Sequence, residues 1–68
     1  MNMDMKSQYA KYLINECIEN IRNGSDRYVE INFTINCLEV IADRDFTREE
    51  WKALFNQINE YVGGKIHE

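Results

Sequence analysis

The sequence predicts an all-α domain of three helices, and three observations support this prediction. Apolar residues recur at helical spacing in three separate segments of the chain. Proline is absent and glycine occurs only three times, whereas a β fold of this length needs frequent turn residues. The hydrophobic fraction of 44% argues against disorder. We expect a single helical domain over residues 1–64 and a flexible C-terminal tail over residues 65–68.

The first helix is predicted over about residues 4–23. Asp4 is a candidate N-cap for its start, because a carboxylate can accept a hydrogen bond from the first backbone N–H groups of a helix. Gly24 suits the left-handed position that follows a helix. The apolar stripe of this helix consists of Ala10, Leu13, Ile14, Cys17, Ile18 and Ile21.

The second segment satisfies two patterns at once. Residues 28–36 alternate apolar and polar side chains, as a half-buried strand does. Residues 28–42 also carry apolar side chains three and four positions apart, as one face of a helix does. No other stretch resembles a partner strand, so we favour a helix over about residues 26–43, capped by Ser25 or Asp26. The alternative is an α+β fold in which strand 28–36 pairs with its copy across a dimer.

The third helix is predicted over about residues 47–62. Thr47 and Glu50 have the spacing of a capping box, in which each side chain accepts a hydrogen bond from the other residue's backbone N–H. Phe46 and Trp51 flank this start at the spacing of a hydrophobic staple. The apolar stripe that follows consists of Trp51, Leu54, Phe55, Ile58, Tyr61 and Val62.

The predicted second helix carries apolar residues on two sides. One seam is formed by Tyr28, Ile31, Ile35, Leu38 and Ala42. A second seam is formed by Val29, Phe33, Cys37 and Val40. The first and third helices can cover only one of these sides, so we expect the second seam to form an interface, through which the chain is a homodimer. Tyr12 lies off the main stripe of the first helix and is a further candidate for this interface.

The net charge is −4, and most of this excess negative charge falls on residues 25–45. Glu39, Asp43 and Asp45 are candidates for contact with a basic surface of a protein partner. A nucleic-acid-binding protein normally carries a basic stripe, which this sequence lacks, so nucleic acid is not the expected partner.

No residue pattern points to catalysis, a cofactor or a metal site. The lone His67 lies in the predicted tail, and Cys17 has no basic neighbour in its apolar stripe. Residues 43–47 resemble the start of a calcium loop, but Arg48 and Leu54 occupy the positions that require Gly and Glu. We therefore expect a non-enzymatic protein with no catalytic residues, no cofactor and no metal.

These features predict a small acidic interaction protein that binds a protein partner and regulates it by inhibition. By analogy, this suits the small regulators of bacteria, plasmids and phages. One alternative is a helix-turn-helix-like DNA-binding regulator with the third helix in the major groove. Another is a structural assembly subunit. The sequence shows neither a signal peptide nor an apolar run of the ~20 residues needed to cross a bilayer, so we expect a cytoplasmic protein without membrane contact.

Overall fold

A computed structural model describes the backbone of residues 2–63 and the side chains of residues 5–63. It contains three α-helices, α1 (Asn2–Arg22), α2 (Arg27–Ala42) and α3 (Arg48–Gly63), and the described residues form no strand. Each helix packs against the other two. The prediction of an all-α, three-helix domain is confirmed, and the ambiguous residues 28–36 lie within α2. The predicted tail, residues 65–68, lies outside the described residues.

The N-terminal end of α1 differs from its prediction. The helix begins at Asn2, so Asp4 lies within its first turn, and the prediction that Asp4 caps this helix is wrong. An acidic residue is also favourable inside the first helical turn, where the backbone dipole presents its positive end. An aspartate near the start of a helix therefore indicates roughly where the helix begins, but it does not identify the first helical residue.

The turn between α1 and α2 satisfies the backbone groups of both helix ends. Gly24 has a φ angle of 112°, which L-amino acids with a side chain rarely adopt. The backbone N–H of Ser25 then donates to the carbonyl oxygen of Asn20 at 2.9 Å, which ends α1. The side chain of Asp26 accepts a hydrogen bond from the N–H of Val29 at 3.0 Å, which caps α2. Of the two predicted caps for this helix, Asp26 is the one used.

The predicted capping box of α3 is confirmed. The N–H of Glu50 donates to Thr47 Oγ1 at 3.1 Å, and the N–H of Thr47 donates to Glu50 Oε1 at 2.9 Å. Phe46 and Trp51, the predicted staple, both pack against the core and line the same shallow pocket. The start of α3 is therefore fixed by local side-chain chemistry.

The helices enclose a small core, and α2 supplies half of its apolar residues. The buried apolar side chains are Cys17, Ile31, Ile35, Leu38, Ile58 and Val62. Half-buried residues of α1, of α3 and of the loop between α2 and α3 surround the central cluster: Ile14, Ile21, Phe46, Trp51, Leu54 and Phe55. A core of this size leaves a chain of 68 residues only marginally stable on its own.

The first seam of α2 is buried only in its middle. Ile31, Ile35 and Leu38 are buried, whereas Tyr28 and Ala42 at the two ends are exposed. The side of α2 that the other two helices cover is therefore buried at its centre and open at both ends. The ring of Tyr28 still lies 5.5 Å from that of Phe55, so it covers the edge of the core rather than filling it.

Polar contacts at both ends of α2 fix α3 against it. Arg27 Nη1 donates to Asn59 Oδ1 at 2.7 Å near the start of α2. Near its end, the N–H of Phe46 donates to Glu39 Oε2 at 2.8 Å. Because the start of α2 contacts the end of α3, and the end of α2 contacts the loop that precedes α3, the two helices are antiparallel.

Candidate functional site

The side of α2 that faces away from the core is apolar and exposed. Val29, Phe33 and Val40 expose 60%, 63% and 78% of their surface, respectively. Cys37, the remaining member of the predicted second seam, is half-buried. Three of the four predicted residues therefore share an open surface, and the fourth lies at its edge.

This exposure follows from the rotation of the helix. The buried residues of α2 centre on Ile31 and Ile35. At 3.6 residues per turn, Val29, Phe33 and Val40 point in nearly the opposite direction. A helix that is apolar on opposite sides is typical of a helix covered on both sides. The described residues cover α2 on one side only.

Residues of α1 extend this apolar surface. Met5, Tyr9 and Tyr12 expose 70%, 56% and 56% of their surface. The rings of Tyr9 and Tyr12 stack with centroids 6.3 Å apart and planes 8° apart. Met5 and Tyr9 also line a shallow groove together with Val40, so the exposed side chains of α1 and α2 meet at this groove. We call this surface the outward face; it consists of Met5, Tyr9, Tyr12, Val29, Phe33 and Val40.

The outward face is large for so small a chain. Its six residues expose on the order of 700 Å² together, given that an aromatic side chain alone can bury ~150–250 Å². Contiguous exposed apolar patches of more than a few hundred Å² mark interaction surfaces on soluble proteins. Tyr12 was expected here from the sequence, whereas Met5 and Tyr9 were missed. Met5 lies four residues before Tyr9, and Tyr9 lies three residues before Tyr12. This spacing places the three residues on one side of α1.

One end of the outward face is acidic. Glu39, Asp43 and Asp45 line a shallow depression together with Val40. Asp43 occupies the left-handed region, with φ 61° and ψ 39°, and its N–H donates to the carbonyl oxygen of Val40 at 3.1 Å, which ends α2. Asp43 and Asp45 are exposed, whereas the half-buried Glu39 accepts the backbone hydrogen bond described above. Two of the three predicted acidic residues are therefore open to a partner.

The nearby Arg44 lines the same depression but binds a carboxylate of α3 rather than these acidic residues. Both terminal nitrogens of Arg44 donate to the carboxylate of Glu50 at 3.0 Å, and this is the only salt bridge among the residues whose side chains are described. The Arg44 guanidinium and the N–H of Thr47 lower the pKa of Glu50 to about 2. The charge of Arg44 is thus committed to the start of α3.

The two cysteines differ in burial, since Cys17 is buried and Cys37 is half-buried. Both are free, and burial raises the pKa of the Cys17 thiol, opposed by a hydrogen bond with Thr34 and reinforced by the charge of Glu30. Cys17 therefore packs as a small protonated hydrophobe. Within residues 5–63, no group of three or more His, Cys, Asp or Glu side chains comes together as metal ligands would.

Comparison of the chain with protein-family models, with curated proteins and with solved structures finds no match. Over the described part of the chain, none of the helices has both the length and the apolar character needed to cross a bilayer.

Proposed function

We propose that this protein is a non-enzymatic interaction protein that binds another protein and inhibits it. The observation that carries the proposal is the outward face, an exposed apolar surface that ends in exposed acidic residues. Aromatic and large apolar side chains on such a surface are the residues that supply most binding energy at protein interfaces.

The proposal includes a homodimer formed through the outward face. A chain with so small a core gains stability when a second copy covers its exposed apolar surface. A stable interface buries roughly 800 Å² on each partner, which is close to the area that the outward face offers. Val29, Phe33 and Val40 of α2 form its centre, the half-buried Cys37 lies at its edge, and Tyr12 lies on its α1 side.

The inhibited partner is proposed to bind the acidic end, through Asp43 and Asp45. These carboxylates lie beside Val40, so a partner with basic residues next to an apolar contact fits them. Opposite charges on the two proteins would also speed their association at low ionic strength.

Capture of the partner from the native host, followed by mass spectrometry, tests this proposal. The informative variant is Asp43→Asn with Asp45→Asn, because asparagine keeps the tolerance for the left-handed backbone while it removes both charges. The matched control, Glu49→Gln with Glu60→Gln, removes two exposed charges elsewhere on the chain. We expect a protein that the wild type and the control enrich and that the Asp variant loses. Equal enrichment by all three chains would contradict binding at the acidic end, and no enrichment over an unrelated bait would contradict the function.

The two other functions predicted from the sequence have less support. A helix-turn-helix-like DNA-binding regulator would lead into the major groove with the first turn of α3, which carries Glu49 and Glu50. Carboxylates there repel phosphates, and Arg44 is already bound to Glu50. Salt-sensitive binding to duplex DNA in a mobility-shift assay would favour this function over the proposed one. Filaments or higher assemblies in light scattering would favour a structural assembly subunit.

A further inference from the structure

The turn between α1 and α2 contains the one Asn-Gly pair of the sequence, Asn23-Gly24. Asparagine is a chemically labile residue, because the backbone nitrogen of the residue that follows can attack its side-chain carbonyl carbon. Glycine hinders this attack least, since it has no side chain and adopts the widest range of backbone angles. Both residues are exposed, and beyond the chain neighbours of Gly24 no described atom lies within 4 Å of where its Cβ would be. The pair is therefore open to solvent and unobstructed.

We propose that Asn23 is a site of spontaneous modification and that the fold sets the rate of the reaction. The nitrogen of Gly24 forms a bond to Cγ of Asn23, and the bond from Cγ to Nδ2 breaks. The side-chain NH2 group leaves with the former proton of the Gly24 N–H as ammonia. The cyclic imide that results takes up one water molecule and opens to aspartate or to isoaspartate, in which the main chain runs through the former side chain. This inference does not rest on the proposed function.

The folded turn holds the attacking nitrogen in a hydrogen bond. The N–H of Gly24 donates to the carbonyl oxygen of Ile21 at 3.0 Å, and the N–H of Asn23 donates to that of Glu19 at 2.9 Å. The reaction must remove the proton from the Gly24 nitrogen and turn this nitrogen towards Cγ, which breaks the first of these hydrogen bonds. Reaction therefore proceeds from molecules in which the turn has opened.

The turn can open while the core stays packed. Residues 23–29 are all exposed, and the first fully buried residue of α2 is Ile31. The hydrogen bond from the N–H of Val29 to the side chain of Asp26, at 3.0 Å, caps α2 beside the turn. Segments with exposed backbone and few apolar contacts open at a lower free energy than the whole domain. The cap at Asp26 should therefore control the rate more than the stability of the distant helix start does.

The products should weaken the junction that they form in. Isoaspartate lengthens the main chain by one carbon between residues 23 and 24, which displaces the N–H of Ser25 from the carbonyl oxygen of Asn20, now 2.9 Å away. Both products also place a negative charge beyond the last carbonyl groups of α1, where the helix dipole already presents its negative end. The modification should thus lower the melting temperature of the chain.

Peptide mapping of the full chain tests the site. Trypsin cleaves after Arg22 and Arg27, so residues 23–27 are released as a peptide with no other asparagine. The chain is incubated in mildly alkaline buffer, with and without unfolding concentrations of guanidinium chloride, and the aspartyl and isoaspartyl forms of this peptide are measured over time. We expect the unfolded chain to react faster by at least about tenfold. Equal rates would overturn protection by the fold. If the unfolded chain modified Asn23 no faster than its other asparagines, the site itself would be wrong.

Two cap removals distinguish opening of the turn from unfolding of the domain. Asp26→Ala removes the cap beside the turn, whereas the matched control Thr47→Ala removes the cap of α3. The rate of each folded variant is divided by its own rate in guanidinium chloride, which removes any effect of the substitution on the chemistry. We expect this ratio to rise roughly fivefold for Asp26→Ala, the factor that the loss of a helix cap corresponds to, and to stay at the wild-type value for Thr47→Ala. An equal rise in both variants, or a rise in neither, would contradict control by the turn.

Discussion

Helices α2 and α3 have the same length but differ in how their side chains are distributed. α3 directs most of its apolar residues to the core, although Tyr61 near its end is exposed, and its start is fixed by a reciprocal cap. α2 directs apolar residues both to the core and away from it. Packing within the chain accounts for one side of α3 and for only one of the two apolar sides of α2. The proposed interface would account for the other side of α2.

The inward side of α2 should dominate the stability of the isolated chain. Ile35→Ala removes a fully buried side chain and should lower the free energy of unfolding by about 2–5 kcal/mol. Val40→Ala, at an exposed position of the same helix, should lower it by less than about 0.5 kcal/mol. Urea denaturation measures both, in a Phe33→Asp background so that association does not contribute. Equal effects would mean that the two sides of α2 are not distinct.

The start of α3 should depend on its cap. Thr47→Ala removes the hydroxyl that accepts the N–H of Glu50 and should cost about 1 kcal/mol. Thr47→Ser retains a hydroxyl at the same position and serves as the control. Thermal denaturation of the three chains measures the difference, and an unchanged melting temperature for Thr47→Ala would contradict local determination of this helix start.

The end of α2 should be improvable, unlike the start of α3. Asp43 holds a left-handed conformation that glycine adopts more easily, so Asp43→Gly should raise the free energy of unfolding by about 0.5 kcal/mol. Chemical denaturation of wild type and variant measures this gain. Asp43 is therefore not the most stabilising residue for this position. Its retention at the acidic end is consistent with the proposed role in binding. Destabilisation by Asp43→Gly would instead assign the carboxylate a structural role.

Acid should weaken the start of α3 through Glu50. Its pKa in the folded chain is about 2, below the ordinary value of 4.5, because Arg44 and the N–H of Thr47 bind the carboxylate. The resulting stabilisation is complete above pH ~4.5 and is lost as the pH falls towards 2. Melting temperatures measured between pH 5 and 2 should therefore fall less steeply for Glu50→Gln than for the wild type. Parallel curves would show that this carboxylate does not support the fold.

Local chemistry explains which parts of the fold the sequence predicts well. Gly24, Asp26 and the pair Thr47 and Glu50 act on backbone groups within a few residues, so their roles can be deduced without knowledge of the tertiary structure. Asp4 shows the limit of this approach, because the same residue type is favourable both at the cap and inside the first turn.

Surface features that depend on neighbouring helices are harder to predict. The sequence places Val29, Phe33 and Val40 on a second side of α2, and the structure leaves them exposed. The contribution of Met5 and Tyr9 depends on how α1 packs against α2, which the pattern within one helix does not contain. The left-handed end of α2 at Asp43 was missed for a similar reason, since several polar residues after the helix could have ended it.

Sedimentation equilibrium measures whether the outward face holds two copies of the chain together. The wild-type chain should sediment at twice its monomer mass of 8.1 kDa, Phe33→Asp should sediment as a monomer that remains folded, and the exposed control Ala53→Asp on α3 should remain a dimer. A wild-type mass of 8.1 kDa at every concentration measured would contradict the proposed dimer.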